Sequence, residues 1–217
     1  MKIAVYSGSF NPLHIGHEAI MRYLTQEGLF DWVYLVISPK NPLKSTISAD
    51  SAEARYRAAV EAVKRHPDLK VKVDDIELKM PGPSYTIKTL DALKTREPDN
   101  EFTLVIGGDN LACIEQWRQY PRILSDYGVV VYPREGTDVR QLQLDLLTHY
   151  LEKPEPYVLD WNECDLDEIG GNRLANFEDA LEYRYHIRTI QAPLFNISST
   201  EIRKGLEEGR DMSEYLM

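Results

Sequence analysis

Lys2-Ile3-Ala4-Val5-Tyr6-Ser7-Gly8-Ser9-Phe10-Asn11-Pro12-Leu13-His14-Ile15-Gly16-His17-Glu18 passes from a short apolar run, through turn residues, into the start of a helix near His17 or Glu18. Ile3–Tyr6 has the composition of a buried parallel strand, which is apolar on both faces rather than alternating. Gly8 offers positive φ and a close backbone approach for a phosphate. Asn11-Pro12 is a turn signal, with Pro12 presetting φ and removing one backbone donor. The helix start that follows offers unpaired N–H groups and the positive end of a dipole, a ready anion site. His14 and His17 add two imidazole donors, three residues apart, beside that site.

Further apolar runs of strand length occur at Val33–Ile37, Leu69–Val73, Phe102–Ile106, Val129–Tyr132 and Ile187–Gln191. Helix-like segments separate them. Glu18–Glu27 ends before Gly28, a C′ residue, and Ser51–Arg65 follows Asp50, with Glu53 at capping-box spacing from it. Thr86–Arg96 carries Ile87, Leu90 and Leu93 along one side. This alternation predicts an α/β fold: a Rossmann-like parallel sheet with helices on both faces, in a single domain covering 1–217. Such sheets bind ligands beyond the carboxyl ends of their strands. About 137–186 is less regular and acidic, with a possible helix at Val139–Tyr150 and an acidic run at Glu163–Glu168, and is expected to be a solvent-facing elaboration.

The 217 residues are 43% hydrophobic and 28% charged, as in ordinary globular chains. A net charge of −10 argues against nucleic-acid binding, which needs a basic footprint, yet leaves room for small phosphorylated ligands at local basic groups. No segment approaches the roughly 20 apolar residues of a spanning helix, so no membrane partner is expected. Two cysteines, Cys113 and Cys164, argue against a disulfide framework and suit a reducing, cytoplasmic location; Cys113 is expected to be a small buried residue. His14 and His17 lack an evident third ligand among His66, His149 and His186, so no metal site is assigned to them.

A second motif, Ile197-Ser198-Ser199-Thr200-Glu201-Ile202-Arg203, pairs Ser198 with Glu201 as a capping box, so a helix is expected from Ser199. Its hydroxyls suit phosphate oxygens, and Arg203 lies one turn inside with a planar fork of donors. Taken alone, this reads better as an ordinary cap with a solvent-facing arginine.

Together the motifs carry a resemblance. His14-Ile15-Gly16-His17 resembles the His-x-Gly-His signature of the nucleotidylyltransferase superfamily, which class I tRNA synthetases also carry. The longer string from Gly8, with Ile197–Arg203, is similar to the bacterial nicotinate mononucleotide adenylyltransferases, in which Thr and Asp usually stand where this chain has Ser9 and Asn11. The resemblance implies adenylyl transfer from ATP to nicotinate mononucleotide, with Mg²⁺ accompanying ATP. It implies that His14, His17, Lys44 and Arg203 contact phosphates, while Gly8, Ser9, Phe10, Gly16, Gly107, Asp109, Ser198 and Ser199 form the ATP site. Lys44 follows the second strand, and a solvated loop lysine remains its other reading. Asn11, Ser84, Tyr85, Thr86 and Trp117 would bind the second substrate: backbone amides around Tyr85-Thr86 hold the pyridine carboxylate, and Trp117 stacks on the ring. A helix start favours an anion, whereas a carboxamide also needs an acceptor, so the acid nucleotide is preferred. The same machinery would serve a nicotinamide mononucleotide or phosphopantetheine adenylyltransferase, or a non-catalytic nucleotide sensor. A synthetase is excluded by length, acidic charge and the missing Lys-Met-Ser-Lys-Ser loop.

Overall fold

The computed structural model describes residues 1–26, 28–39, 51–133, 138, 141–142, 145, 186–190, 192–193, 195 and 197–217. Lys44, the run Glu163–Glu168 and most of the helix read over Val139–Tyr150 lie outside the described residues.

Six strands, β1 (Lys2–Gly8), β2 (Trp32–Ile37), β3 (Val71–Asp74), β4 (Glu101–Gly107), β5 (Val129–Tyr132) and β6 (Ile187–Thr189), form one sheet in the order β3-β2-β1-β4-β5-β6. Every pairing is parallel. The order reverses direction between β1 and β4, the point at which a doubly wound sheet opens a crevice at its carboxyl edge. Gly8 ends β1 and Gly107 ends β4, so both glycine turns sit at that crevice.

Strand periodicity divides the core in two. Ala4, Tyr6, Val33, Leu35, Ile37, Val105 and Val130 face α1 (Ile15–Gln26) and α2 (Ala52–Lys64), where Met21, Leu24, Ala59 and Ala62 meet them. Ile3, Val5, Tyr34, Val36, Leu104, Ile106 and Val131 face the opposite layer. That layer holds α4 (Thr86–Arg96), which follows the single turn α3 (Ile76–Lys79) and packs Ile87, Leu90 and Leu93 on the sheet. Each such fully buried side chain contributes roughly 1.5–3 kcal/mol. The short helices α5 (Gly108–Leu111) and α6 (Tyr120–Arg122) continue the layer, and α7 (Ser199–Glu207) follows β6. Among the described residues no helix is long and apolar enough to cross a membrane.

Several boundaries differ from the sequence expectation. Helix α2 is capped by Ser51, whose side chain accepts from the Ala54 amide, not by Asp50. Helix α1 begins at Ile15, earlier than the expected His17 or Glu18, because the imidazoles themselves cap it. Gly8 is the last residue of β1, and the positive φ (43°) in the turn belongs to Phe10. The absence of a side chain matters at Gly8 for another reason: a Cβ there would lie 3.1 Å from the Phe10 ring. At the other end of α1, Gly28 does take positive φ (67°), while the Phe30 amide returns to the Leu24 carbonyl.

Candidate active site

The turn after β1 is held from both sides. On the α2 side the buried Arg55 guanidinium donates to the Ser9 carbonyl at 2.6 Å and the Pro39 carbonyl at 3.1 Å, binding the turns after β1 and β2 together. Asn11 is also buried. The chain then enters α1 through a capping box built from two imidazoles. His14 Nδ1 accepts the Gly16 amide at 3.2 Å, and His17 Nδ1 accepts the His14 amide at 3.2 Å. The rings lie 3.7 Å apart between centroids, and His17 also packs edge-on against Phe10.

This arrangement fixes the tautomers. A neutral imidazole whose Nδ1 accepts carries its proton on Nε2. Both histidines are thereby set as Nε2–H donors at the carboxyl edge of the sheet, and a spacing of three residues is what reciprocal capping requires. His14 is only 6% exposed, although its turn lies at the carboxyl edge of the sheet. The C-terminal residues run beside it: Leu216 forms a backbone bridge with His14, and Met217 joins the apolar cluster of Phe10 and Leu13.

Helix α7 begins where the Ser198–Glu201 pairing placed it, with both halves of the capping box formed. Arg203 Nη1 donates to the Asn11 carbonyl at 2.6 Å, and Ser199 Oγ donates to the Pro12 carbonyl at 3.0 Å. Two motifs nearly 190 residues apart are thus joined at the turn that carries the histidines. The hydroxyls differ from the simple expectation of free phosphate donors. Ser198 Oγ is engaged with Glu201, Ser199 with Pro12, and Thr200 with Arg203. A cleft beside this junction is lined by Tyr6, His14, Gly16, His17, Tyr132 and Phe195. A larger hollow of about 470 Å³ between α7 and the C-terminal turn is lined by charges of both signs and lies away from the histidines.

On the opposite layer, Ser84-Tyr85-Thr86 leads into α4 with Tyr85 as its N-cap residue and no side-chain cap. Trp117 and Tyr85 border the same apolar cluster, and the Arg118 guanidinium sits 5.1 Å from the centroid of the Tyr85 ring. Lys88 approaches that ring at 5.4 Å, so two cations flank it. Gly107 is buried at the end of β4 and Asp109 is exposed in the first turn of α5. Trp117 closes a 3₁₀ turn (Ile114–Gln116) rather than standing in a helix, and Cys113 is half-buried rather than buried.

The family model described as cytidylyltransferase-like matches residues 5–205. The chain belongs to this family. Among its relatives, a probable nicotinate-nucleotide adenylyltransferase of Bacteroides fragilis is 35% identical, covering 99% of this chain and 87% of its own length. That of Flavobacterium johnsoniae is 32% identical, covering 100% and 92%. Among solved structures, the nicotinic acid mononucleotide adenylyltransferase of Plasmodium falciparum, complexed with NaAD, superposes with a TM-score of 0.67 at 17% identity. It covers 99% of this chain and 90% of its own, and establishes a shared fold. The cytidylyltransferase-like chain thus has the expected Rossmann-like parallel sheet with helices on both faces.

Two buried charged residues at this family member's crevice escaped the sequence reading. Arg55 is one, and its role shows only when the carbonyls of Ser9 and Pro39 are brought to it. The other is Glu77, only 3% exposed in α3. Its Oε1 accepts from Ser7 Oγ at 3.1 Å and Thr89 Oγ1 at 2.9 Å. Burial pushes the Glu77 carboxyl up from its ordinary range, and the surrounding hydroxyls, with Thr89 and Ser7 bonded to Oε1, partly offset this. No sequence motif marked either residue, because their partners come from separate segments at the ends of β1 and β2 and in α4.

Proposed function

We propose that the chain catalyses transfer of the adenylyl group of ATP to the phosphate of nicotinate mononucleotide, giving nicotinate adenine dinucleotide and pyrophosphate. The observation that carries this reading is the junction of the two phosphate motifs. Arg203 and Ser199 reach the Asn11-Pro12 carbonyls in the same turn whose His14 and His17 cap α1 through Nδ1, which supports a shared phosphate site. The names of the full-length relatives support the same reaction.

A phosphate oxygen of the mononucleotide attacks the α-phosphorus of ATP. The bond to the bridging oxygen of the β-phosphate breaks, and pyrophosphate leaves with that electron pair. No covalent enzyme intermediate is needed, so the work is positioning and stabilisation of charge on the transferring group. In this reading His17 donates to the α-phosphate and His14 to neighbouring phosphates. Arg203, Lys44, Ser198 and Ser199 hold the β/γ end. Gly8, Ser9, Phe10 and Gly16 let the nucleotide approach the backbone, and Gly107 with Asp109 completes the ATP site. Nucleotidyltransferases of this kind generally use a divalent metal with ATP; Mg²⁺ enters here as part of the substrate, coordinated by phosphates and water. Among the described residues no group of three potential ligands is gathered to hold one. The whole chain, 1–217, acts as one catalytic domain and works in the cytoplasm.

The acid nucleotide is favoured at the second subsite. Amides at the start of α4, near Tyr85 and Thr86, meet its carboxylate, Asn11, Ser84 and Trp117 complete the pocket, and Lys88 and Arg118 beside Tyr85 add a positive field. Steady-state kinetics with nicotinate mononucleotide, nicotinamide mononucleotide and phosphopantetheine as acceptors tests this. The expected result is pyrophosphate release with the acid acceptor at kcat/KM about tenfold or more above the amide, the scale of one lost charge interaction near 1.4 kcal/mol. An equal or reversed ratio refutes the acid preference. Absence of pyrophosphate release with every acceptor leaves only a nucleotide-binding role.

A further inference from the structure

The geometry points to Glu77 as a positioning residue that sets the mononucleotide subsite. The inference rests on the adenylyl-transfer reading above and deepens it by assigning control of the acceptor end to one buried carboxyl.

Glu77 lies at the carboxyl edge of the sheet, where no fold-forming role demands a charge. Its hydrogen bonds reach from the sheet to the helix layer, to Ser7 directly and through it to Ser38, and to Thr89, with Ser84 nearby. Ser7 stands next to the end of β1, and Ser38 follows β2. Thr89 belongs to the first turns of α4, and Ser84 opens the segment leading into α4. Ser7 Oγ is 3.0 Å from Ser38 Oγ and 3.1 Å from Glu77 Oε1, and Thr89 Oγ1 is 2.9 Å from the same oxygen. Side-chain alternation along the strands explains the meeting. Ser7 continues the Ile3–Val5 face and Ser38 the Tyr34–Val36 face, both directed at the α4 layer. The carboxyl therefore fixes the start of α4, and with it Ser84-Tyr85-Thr86, against the ends of the two strands whose turns Arg55 also ties together.

The division of labour follows from the two faces. The histidines, Arg203 and Ser199 are linked through Asn11 and Pro12. Among the described residues, the hydrogen bonds of Glu77 reach β1 and the acceptor-side helix α4 but none of these four residues. Loss of the carboxyl displaces the acceptor-side amides and leaves the triphosphate contacts in place. A leucine is the sharp probe, because it keeps most of the volume but removes the oxygen on which the Ser7 and Thr89 hydroxyls converge, whereas a glutamine could hold both bonds on its carbonyl oxygen. The hydroxyl network must then rearrange, and small displacements at such a site are enough to lower reactivity strongly.

The experiment measures kcat and both KM values, for nicotinate mononucleotide and for MgATP, in wild type, Glu77→Leu and Thr89→Val, with thermal unfolding as a folding control. Glu77→Leu is expected to raise KM for the mononucleotide about tenfold while KM for MgATP stays within about twofold. Thr89→Val, which removes one donor from the same oxygen, is expected to shift the same KM alone by about threefold. Unchanged KM values, or an equal rise in both, overturn the proposal. Should Glu77→Leu fail to fold, Thr89→Val decides by the same criterion. A wild type that turns over no nicotinate mononucleotide refutes the parent reading instead, which keeps the two failures distinct.

Discussion

Arg203→Met separates the structural and chemical parts of the junction. In the folded chain Arg203 Nη1 donates to the Asn11 carbonyl at 2.6 Å and Nη2 to Thr200 Oγ1 at 3.1 Å. A hydrogen bond from a charged donor contributes roughly 1.5–3 kcal/mol, and the half-buried setting of Arg203 argues for the lower end. For a chain of this size, about 1.5 kcal/mol corresponds to a fall in Tm of roughly 3–6 °C. The chemical part is larger. A guanidinium about 4 Å from a phosphate charge is worth about 4 kcal/mol at an effective dielectric near 20. If between half and all of that is realised in the transition state, kcat/KM for ATP falls by about 30- to 1,000-fold. Arg203→Lys keeps the charge without the fork, so an intermediate loss is expected. Coupled detection of pyrophosphate, with Tm followed in parallel, measures both parts. A variant Arg203→Met that loses stability but keeps kcat/KM within about threefold of wild type would show that Arg203 is a tie and nothing more.

His17→Ala is expected to lower kcat by about 10²-fold, as loss of one electrostatic donor does elsewhere; wild-type turnover would defeat its assignment. Gly16→Ala brings a Cβ to 3.1 Å from His14 Cε1 and Nδ1, so the ring must shift and kcat is expected to fall about tenfold or more. An active Gly16→Ala enzyme would mean that the His14 orientation is not critical. Acid stability reports on Asp74. Burial pushes its carboxyl up, but the two hydrogen bonds and charge of Arg96, with Lys72, outweigh this and hold it below the ordinary aspartate range. A depressed folded value means stability present above the ordinary value of about 4 and lost as pH falls through the folded one. Urea unfolding should therefore show a steeper loss below about pH 4 in wild type than in Asp74→Asn; parallel curves would remove Asp74 from the account.

Local signals carried the fold far. Val129–Tyr132 and Thr86–Arg96 fall where composition and apolar spacing put them, and Ser198–Glu201 caps α7 as its spacing requires. The third strand is displaced to Val71–Asp74 because Leu69 belongs to the turn before it, where its amide bonds the His66 carbonyl. What failed depended on partners distant in sequence. Gly8 looked like a positive-φ residue, but its need for no side chain comes from the Phe10 ring folding back over it. His14 is buried, and the Leu216 backbone that bridges to it lies some 200 positions away. Arg55 and Glu77 sit in no local motif, and their roles show only when carbonyls and hydroxyls from other segments converge on them. Capping and strand patterns are written within a few residues, whereas the satisfaction of a buried charge is not.

The central claim is that the imidazoles of α1 and the guanidinium of α7 grip one triphosphate. A crystal structure with a non-hydrolysable ATP analogue and Mg²⁺ tests it most directly. The account predicts α-phosphate oxygens within hydrogen-bond distance of His17 Nε2 and β- or γ-phosphate oxygens on Arg203 in the same molecule. A nucleotide seated elsewhere, or one whose phosphates meet only one of these groups, would contradict it.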